Sequence, residues 1–181
     1  MITAAAVAAY RSARRDGRQL AEQASAIDHA VTTHFGGTSV PGFLGELDLI
    51  TGRLSYVAAG VPEPHLLRDG TVLTTLAGGR RAPFGSSGAE SALGDASLQS
   101  GDRLVLHTDG VTAAVDSAGS PLGEEGFRQI LRVEAGTTRM PAEAARRLLH
   151  SVGSFRGGVL DEDATLFLVA WTAPTTQDRA V

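Results

Sequence analysis

The stretch Arg103-Leu104-Val105-Leu106-His107-Thr108-Asp109-Gly110 decides how the rest of the chain is read. It is an apolar run of strand length that ends on Thr-Asp-Gly, so a carboxylate follows directly on a strand. Its counterpart is Leu160-Asp161-Glu162-Asp163-Ala164-Thr165-Leu166-Phe167-Leu168-Val169, an acidic cluster that leads into a second apolar run. One signature puts a carboxylate just after a strand and the other just before one. If the two strands are sheet neighbours, both sets of carboxylates meet at one edge. Oxygen ligands at that density suit hard cations such as Mg²⁺ or Mn²⁺. Three adjacent carboxylates at 161–163 repel one another, and a divalent cation would relieve that repulsion. A plain Asp-Gly turn is the competing reading at Asp109. Against it, Val111 to Val115 reads as helical or irregular rather than as a returning strand.

Working outward, the N-terminal third reads as two helices. Ile2 to Arg15 is Ala-rich with one apolar face, and Asp16-Gly17 stops it. Arg18 to about Phe35 resumes the pattern and ends at Gly36-Gly37. Short strands are then expected at 42–49, 53–59, 65–69, 72–76, 92–98 and 103–108, separated by turn signals such as Thr51-Gly52 and Asp69-Gly70. Their short connections favour antiparallel pairing. Gly78 to Gly88 reads as a Gly/Arg/Pro-rich loop. Helices return at 124–132 and 142–152, the second behind Pro141, and 164–171 closes the domain as a strand. Helices, then strands, then helices, then a strand imply an α+β class.

The chain of 181 residues is long enough to bury a core, and one domain over 1–172 with a flexible tail at 173–181 is expected. The net charge of −4 argues against nucleic acid as a partner. All 16 basic residues are Arg, and no Cys is present, which excludes disulfides, Cys-ligated zinc and thiol nucleophiles. No apolar segment has the length to span a membrane, and a cytoplasmic location is expected. No G-x-S-x-G elbow and no phosphate-cradling G-x-x-x-x-G-K run occurs. Arg80 and Arg81 read as a solvated charge pair, with contact to an anion such as a substrate phosphate as the alternative. His29, His34, His65, His107 and His150 lack ligand spacing and read as structural or surface residues. Of these, only His107 stands beside the Asp109 signature.

Several ordered motifs resemble one family. Asp48-Leu49-Ile50-Thr51-Gly52-Arg53-Leu54 through Ala58-Ala59-Gly60-Val61-Pro62 is similar to its D-x-x-T-G-x-L…A-G-H-x-P stretch. Gly101-Asp102 with Leu104 to Val111 is similar to its G-D-x-L-x-L-Y-T-D-G-V. Gly119-Ser120-Pro121-Leu122-Gly123 resembles its G-x-x-F-G loop, and Asp163-Ala164-Thr165 the tail of its D-D-A-T. The family is that of the PPM-type metal-dependent serine/threonine protein phosphatases, in the SpoIIE-like bacterial branch. The resemblance implies a β-sandwich of antiparallel sheets flanked by helices. It implies hydrolysis of phosphoserine or phosphothreonine by water held between two Mn²⁺ or Mg²⁺ ions. Asp109, Glu162 and Asp163 would be metal ligands, with Asp109 and Gly110 at the reacting centre. Glu162 stands where the family pattern has Asp, and Val61 where it has His. The implied substrate is a phosphoprotein of the anti-sigma-factor-antagonist kind. The family's first acidic motifs, G-D-x-x-D and D-x-x-G-H-G, have no counterpart in the chain. The resemblance therefore implies an N-terminally truncated domain with an incomplete two-metal site and exposed sheet edges that favour a homodimer. A phosphatase-fold binding module in a sigma-factor switch is the alternative to an active enzyme.

Overall fold

The structure is a computed structural model that describes residues 1–69, 71–86, 92–134, 140–155 and 163–174, apart from the side chains of Val72 and Leu73. Its elements in chain order are α1 (Ile2–Arg15), α2 (Leu20–His34), β1 (Gly42–Leu47), β2 (Arg53–Ala59), β3 (His65–Arg68), β4 (Thr71–Thr75), β5 (Arg80–Arg81), β6 (Gly94–Ser97), β7 (Arg103–His107), α3 (Asp109–Thr112), α4 (Gly123–Glu134), α5 (Pro141–Phe155) and β8 (Leu166–Ala170). The α+β class is observed: two antiparallel-based sheets, each with its own pair of long helices. The chain divides into two compact units, Met1–Glu63 with Leu76–Ser97, and Pro64–Thr75 with Leu98–Val181.

In the first unit β2 is central. It pairs antiparallel with β1 on one side and with β6 on the other, and its last residues pair in parallel with β5. The hairpin between β1 and β2 is built by the D-x-x-T-G motif itself. Asp48 Oδ1 accepts the backbone N–H groups of Ile50 and Thr51 at 2.8 and 3.1 Å, and Gly52 takes a φ of 74° that other residues reach at a cost. Those two amide donors hold the Asp48 carboxyl below its usual range. Leu20, Ala24, Ile27 and Val31 recur at helical spacing and bury the inner face of α2 with Leu44, Val57, Ala59 and Phe84.

The short parallel strand β5 falls where the sequence suggested only a loop. Two residues carry no periodicity, and Ala58 and Ala59 draw Arg80 and Arg81 into the ladder. The reading of Arg80 and Arg81 as a solvated pair is corrected for Arg81. Its guanidinium is buried and forms a two-bond clamp with Asp28 of α2, at 2.8 and 2.9 Å, and lies over the Phe84 ring. Arg80 faces solvent and reaches Glu63 at 3.5 Å.

In the second unit the strand order is β4-β3-β7-β8, all antiparallel. Strand alternation sets the faces. Leu67, Val105, Leu166 and Leu168 point toward α4 and α5 and pack with Phe127, Leu131, Leu148 and Val152. Pro141 opens α5, where the missing N–H costs nothing.

Candidate functional site

The strands that carry the two signatures, β7 and β8, are neighbours. The ladder pairs His107 with Leu166 and continues past the strand ends. The Thr108 N–H donates to the Thr165 carbonyl at 3.0 Å, and the Thr165 N–H donates to Thr108 Oγ1 at 2.9 Å. This double contact brings the chain at Asp109-Gly110 beside the chain at Asp163-Ala164. A Cβ on Gly110 would stand 2.6 Å from the Asp163 carbonyl oxygen and 3.4 Å from the Ala164 Cα. Glycine at 110 is therefore what lets the two backbones close on one another. Asp109 opens the single turn α3 and faces solvent, as does Asp163. Asp161 and Glu162 lie outside the described residues.

The G-D-x-L motif serves a different purpose. Asp102 is buried at 1% exposure and receives both arms of Arg68, at 2.8 and 2.7 Å, and the Gln99 N–H at 2.7 Å. Burial alone would raise its carboxyl. The Arg68 guanidinium and the Gln99 amide outweigh burial and hold it below the usual carboxylate range. The motif thus anchors the start of β7 to the end of β3.

The loop after α3 is shaped by Asp116, whose Oδ1 accepts the N–H groups of Ala118 and Ser120 at 2.8 and 2.9 Å. Leu122 drops into the core, and Gly123 begins α4 with a φ of 64°. This places Glu124 in the first turn of α4.

Glu124 stands over a feature that sequence reasoning missed. His65 and His107 lie 42 positions apart in the chain, yet both fall on the helix-facing side of the β3–β7 pair. His65 pairs with Val105, so His107 is its diagonal neighbour, within reach across the sheet. Their rings stand nearly parallel at 5.6 Å, and the Phe127 ring meets the His107 edge at 4.6 Å. His65 Nε2 is 3.6 Å from one Glu124 oxygen and His107 Nε2 is 3.9 Å from the other. Burial, then the charges of His107 and Arg128, depress the His65 imidazole to about 4. Burial also lowers His107, partly offset by the Thr108 carbonyl and the charges of Glu124 and Asp109. Both histidines are buried, as the structural half of the expectation had it, but their pairing with each other beside Glu124 was not anticipated. No alternation marked them, because β3 and β7 are apolar runs largely buried on both faces.

For a hard cation, the donors at the β7–β8 corner are of the right kind. Asp109 and Asp163 supply exposed carboxylate oxygens, and the absent Cβ at Gly110 leaves a close-packed corner without side-chain obstruction. All-oxygen donors suit Mg²⁺ and Mn²⁺, and Mg²⁺ in particular is held by few carboxylates with several waters. The residues present fit such an ion in donor chemistry.

Comparison with known proteins identifies the fold. The RsbU and RsbW domains of Rv1364c from Mycobacterium tuberculosis superpose with a TM-score of 0.76 at 25% identity, covering 96% of this chain and 49% of that one. The SiaA-PP2C domain of Pseudomonas aeruginosa gives 0.78 at 21% identity, covering 94% of this chain and 68% of that one. The phosphatase domain of the cell fate determinant SpoIIE from Bacillus subtilis gives 0.65 at 18%, covering 94% and 75%. A curated relative named a probable DNA ligase, from Beutenbergia cavernae, is 32% identical over 146 residues, which are 72% of this chain and 27% of that protein. The chain thus spans only about a quarter of that relative and half of the tuberculosis protein. Residues 1–172 match the family described as Stage II sporulation protein E (SpoIIE), and with the shared fold and the ordered motifs around Asp109 and Asp163 this chain belongs to that family.

Proposed function

We propose that this chain is a PP2C-type protein phosphatase domain that hydrolyses phosphoserine or phosphothreonine. The observation that carries the reading is the closure of Gly110 onto the Asp163 carbonyl, which sets Asp109 and Asp163 at the same end of the β7–β8 pair. In the proposed site, Asp109 and Asp163 hold a divalent cation, with Glu162 as the further ligand that the family pattern implies. A bound Mn²⁺ or Mg²⁺ would supply a water of lowered pKa and neutralise phosphoryl charge. Asp109 acts as a ligand through its exposed carboxylate, and Gly110 allows its backbone to close on that of Asp163. The Thr108–Thr165 pair holds the two backbone segments in register, which supports the proposed pairing of Asp109 and Asp163. The family membership and the neighbours' phosphatase domains support this reading. For the substrate we infer a regulatory phosphoprotein of the anti-sigma-factor-antagonist class, which the likeness to paired RsbU and RsbW domains supports.

The test is Mn²⁺-dependent release of phosphate from a phosphoserine peptide, by this chain beside its Asp109→Asn variant. Turnover that requires Mn²⁺ and falls by at least about a hundredfold in the variant is the expected result. Equal turnover in both proteins would overturn the assignment of Asp109. Retention of the phosphopeptide without hydrolysis by either would instead favour a binding module.

A further inference from the structure

We propose that His65, His107 and Glu124 form a transition-metal site, suited to Zn²⁺, that pins the start of α4 to the β3–β7 pair. Their ligand atoms lie within 4.8 Å of one another. The donor set is two imidazoles and one carboxylate, which suits zinc and contrasts with the all-oxygen corner at Asp109 and Asp163.

Three observations support it independently. The first is polar satisfaction. His65 is fully buried, yet neither of its ring nitrogens has a hydrogen-bond partner, and His107 Nε2 is likewise buried and unpartnered. A buried ring nitrogen without a partner destabilises the fold, and the two Nε2 atoms that lie beside Glu124 call for a ligand. The 3.6 and 3.9 Å separations from Glu124 are too long for hydrogen bonds.

The second is tautomer. His107 Nδ1 lies 3.3 Å from the Thr108 carbonyl, which can only accept, so Nδ1 carries the proton and Nε2 presents a lone pair. A Glu124 oxygen lies 3.9 Å from that nitrogen. Two electron-rich atoms brought this near are stabilised by an electrophile between them. A backbone carbonyl on the distal nitrogen is also the support that metal-bound imidazoles use.

The third is access and adjustability. Two ligands of one tetrahedral zinc stand roughly 3.3 Å apart, given metal–ligand bonds of about 2.0–2.1 Å. The two His–Glu124 separations exceed that by a few tenths of an ångström, and the three ligand atoms as a set spread over up to 4.8 Å, so binding draws in Glu124 and turns the imidazoles toward the ion. The Glu124 side chain is 52% exposed, so it can move and also gives the ion a route from solvent. The Arg128 guanidinium, whose Nε is buried, bears on His65 and opposes a cation there, and it pairs with Glu125 at 3.5 Å. The remaining coordination position falls to water.

The experiment uses the whole chain freed of metal by a chelator and titrated with Zn²⁺ by calorimetry, with the histidine side-chain nitrogens followed by NMR. One equivalent should bind, and the Nε2 signals of His65 and His107 should move together while those of His29, His34 and His150 do not. Glu124→Gln alters a half-exposed side chain and should keep the fold, yet weaken Zn²⁺ at least tenfold. His65→Gln should abolish the site, and Asp109→Asn should leave Zn²⁺ affinity within twofold. Unmoved His65 and His107 signals, or wild-type affinity in a folded Glu124→Gln protein, would overturn the proposal. Loss of Zn²⁺ binding in Asp109→Asn alone would also overturn it, because the ion would then belong to the oxygen-ligand corner.

Discussion

Arg68 grips Asp102 with both arms of its guanidinium, at 2.8 and 2.7 Å, and thereby ties the end of β3 to the turn that precedes β7. Asp102 is buried while the Arg68 side chain keeps 26% of its surface exposed. Asp102→Ala leaves a cation with partial access to water, so the cost should be near the low end for a broken buried pair, about 3 kcal/mol. For a chain of this length that corresponds to roughly 6–12 °C in Tm, read by thermal unfolding. An unchanged Tm would show that the clamp contributes nothing.

The same pair sets a pH dependence. The folded-state Asp102 carboxyl lies below its unfolded value, so its stabilisation is fully present above the unfolded value of about 4. It is lost as pH falls through the lowered folded value. The wild-type Tm should therefore drop more steeply below about pH 4 than that of Asp102→Ala. Parallel Tm–pH curves would contradict this.

Gly110→Ala introduces a methyl group 2.6 Å from the Asp163 carbonyl oxygen. The obstacle is backbone, which cannot rotate away, so the β8 approach must shift. We expect a loss of about 1–3 kcal/mol in stability. Phosphatase turnover should fall at least tenfold, because the carboxylates separate. Full turnover in Gly110→Ala would show that the close approach is not needed.

Thr108→Val removes the acceptor for the Thr165 N–H. Thr108 is exposed, so water can replace the hydroxyl and the stability loss should stay near 1 kcal/mol. The affinity for Mn²⁺ should weaken more than stability does, since Asp163 is held through this contact. A calorimetric Mn²⁺ titration beside a melting curve separates the two effects.

Arg80 and Arg81 should differ sharply despite adjacency. Arg81→Ala strands Asp28 and empties the space over Phe84, at a cost of about 3–5 kcal/mol. Arg80→Ala removes an exposed 3.5 Å pair with Glu63 and should stay within about 0.5 kcal/mol. Similar melting temperatures for the two variants would refute the assignment.

Much of this architecture was written locally. Helix α1 and strand β2 fall on the residues that periodicity and turn signals delimit, because 3.6-residue and 2-residue patterns, Gly17 and the Asp48–Gly52 turn act over a few positions. The sequence reading turned on one conditional step, that the strands beside Asp109 and Asp163 be neighbours, and β7 and β8 are. Residues 161 and 162 lie outside the described part of that corner. What tertiary structure alone decided are the long-range partners. Arg81 looked like a solvated charge until Asp28, 53 positions away, closed on it. His65 and His107 carried no ligand spacing, since their proximity arises from β3–β7 pairing and from α4 laying Glu124 over them. Sequence spacing encodes neighbours along one element, whereas sheet pairing makes neighbours of residues whose separation in the chain is arbitrary.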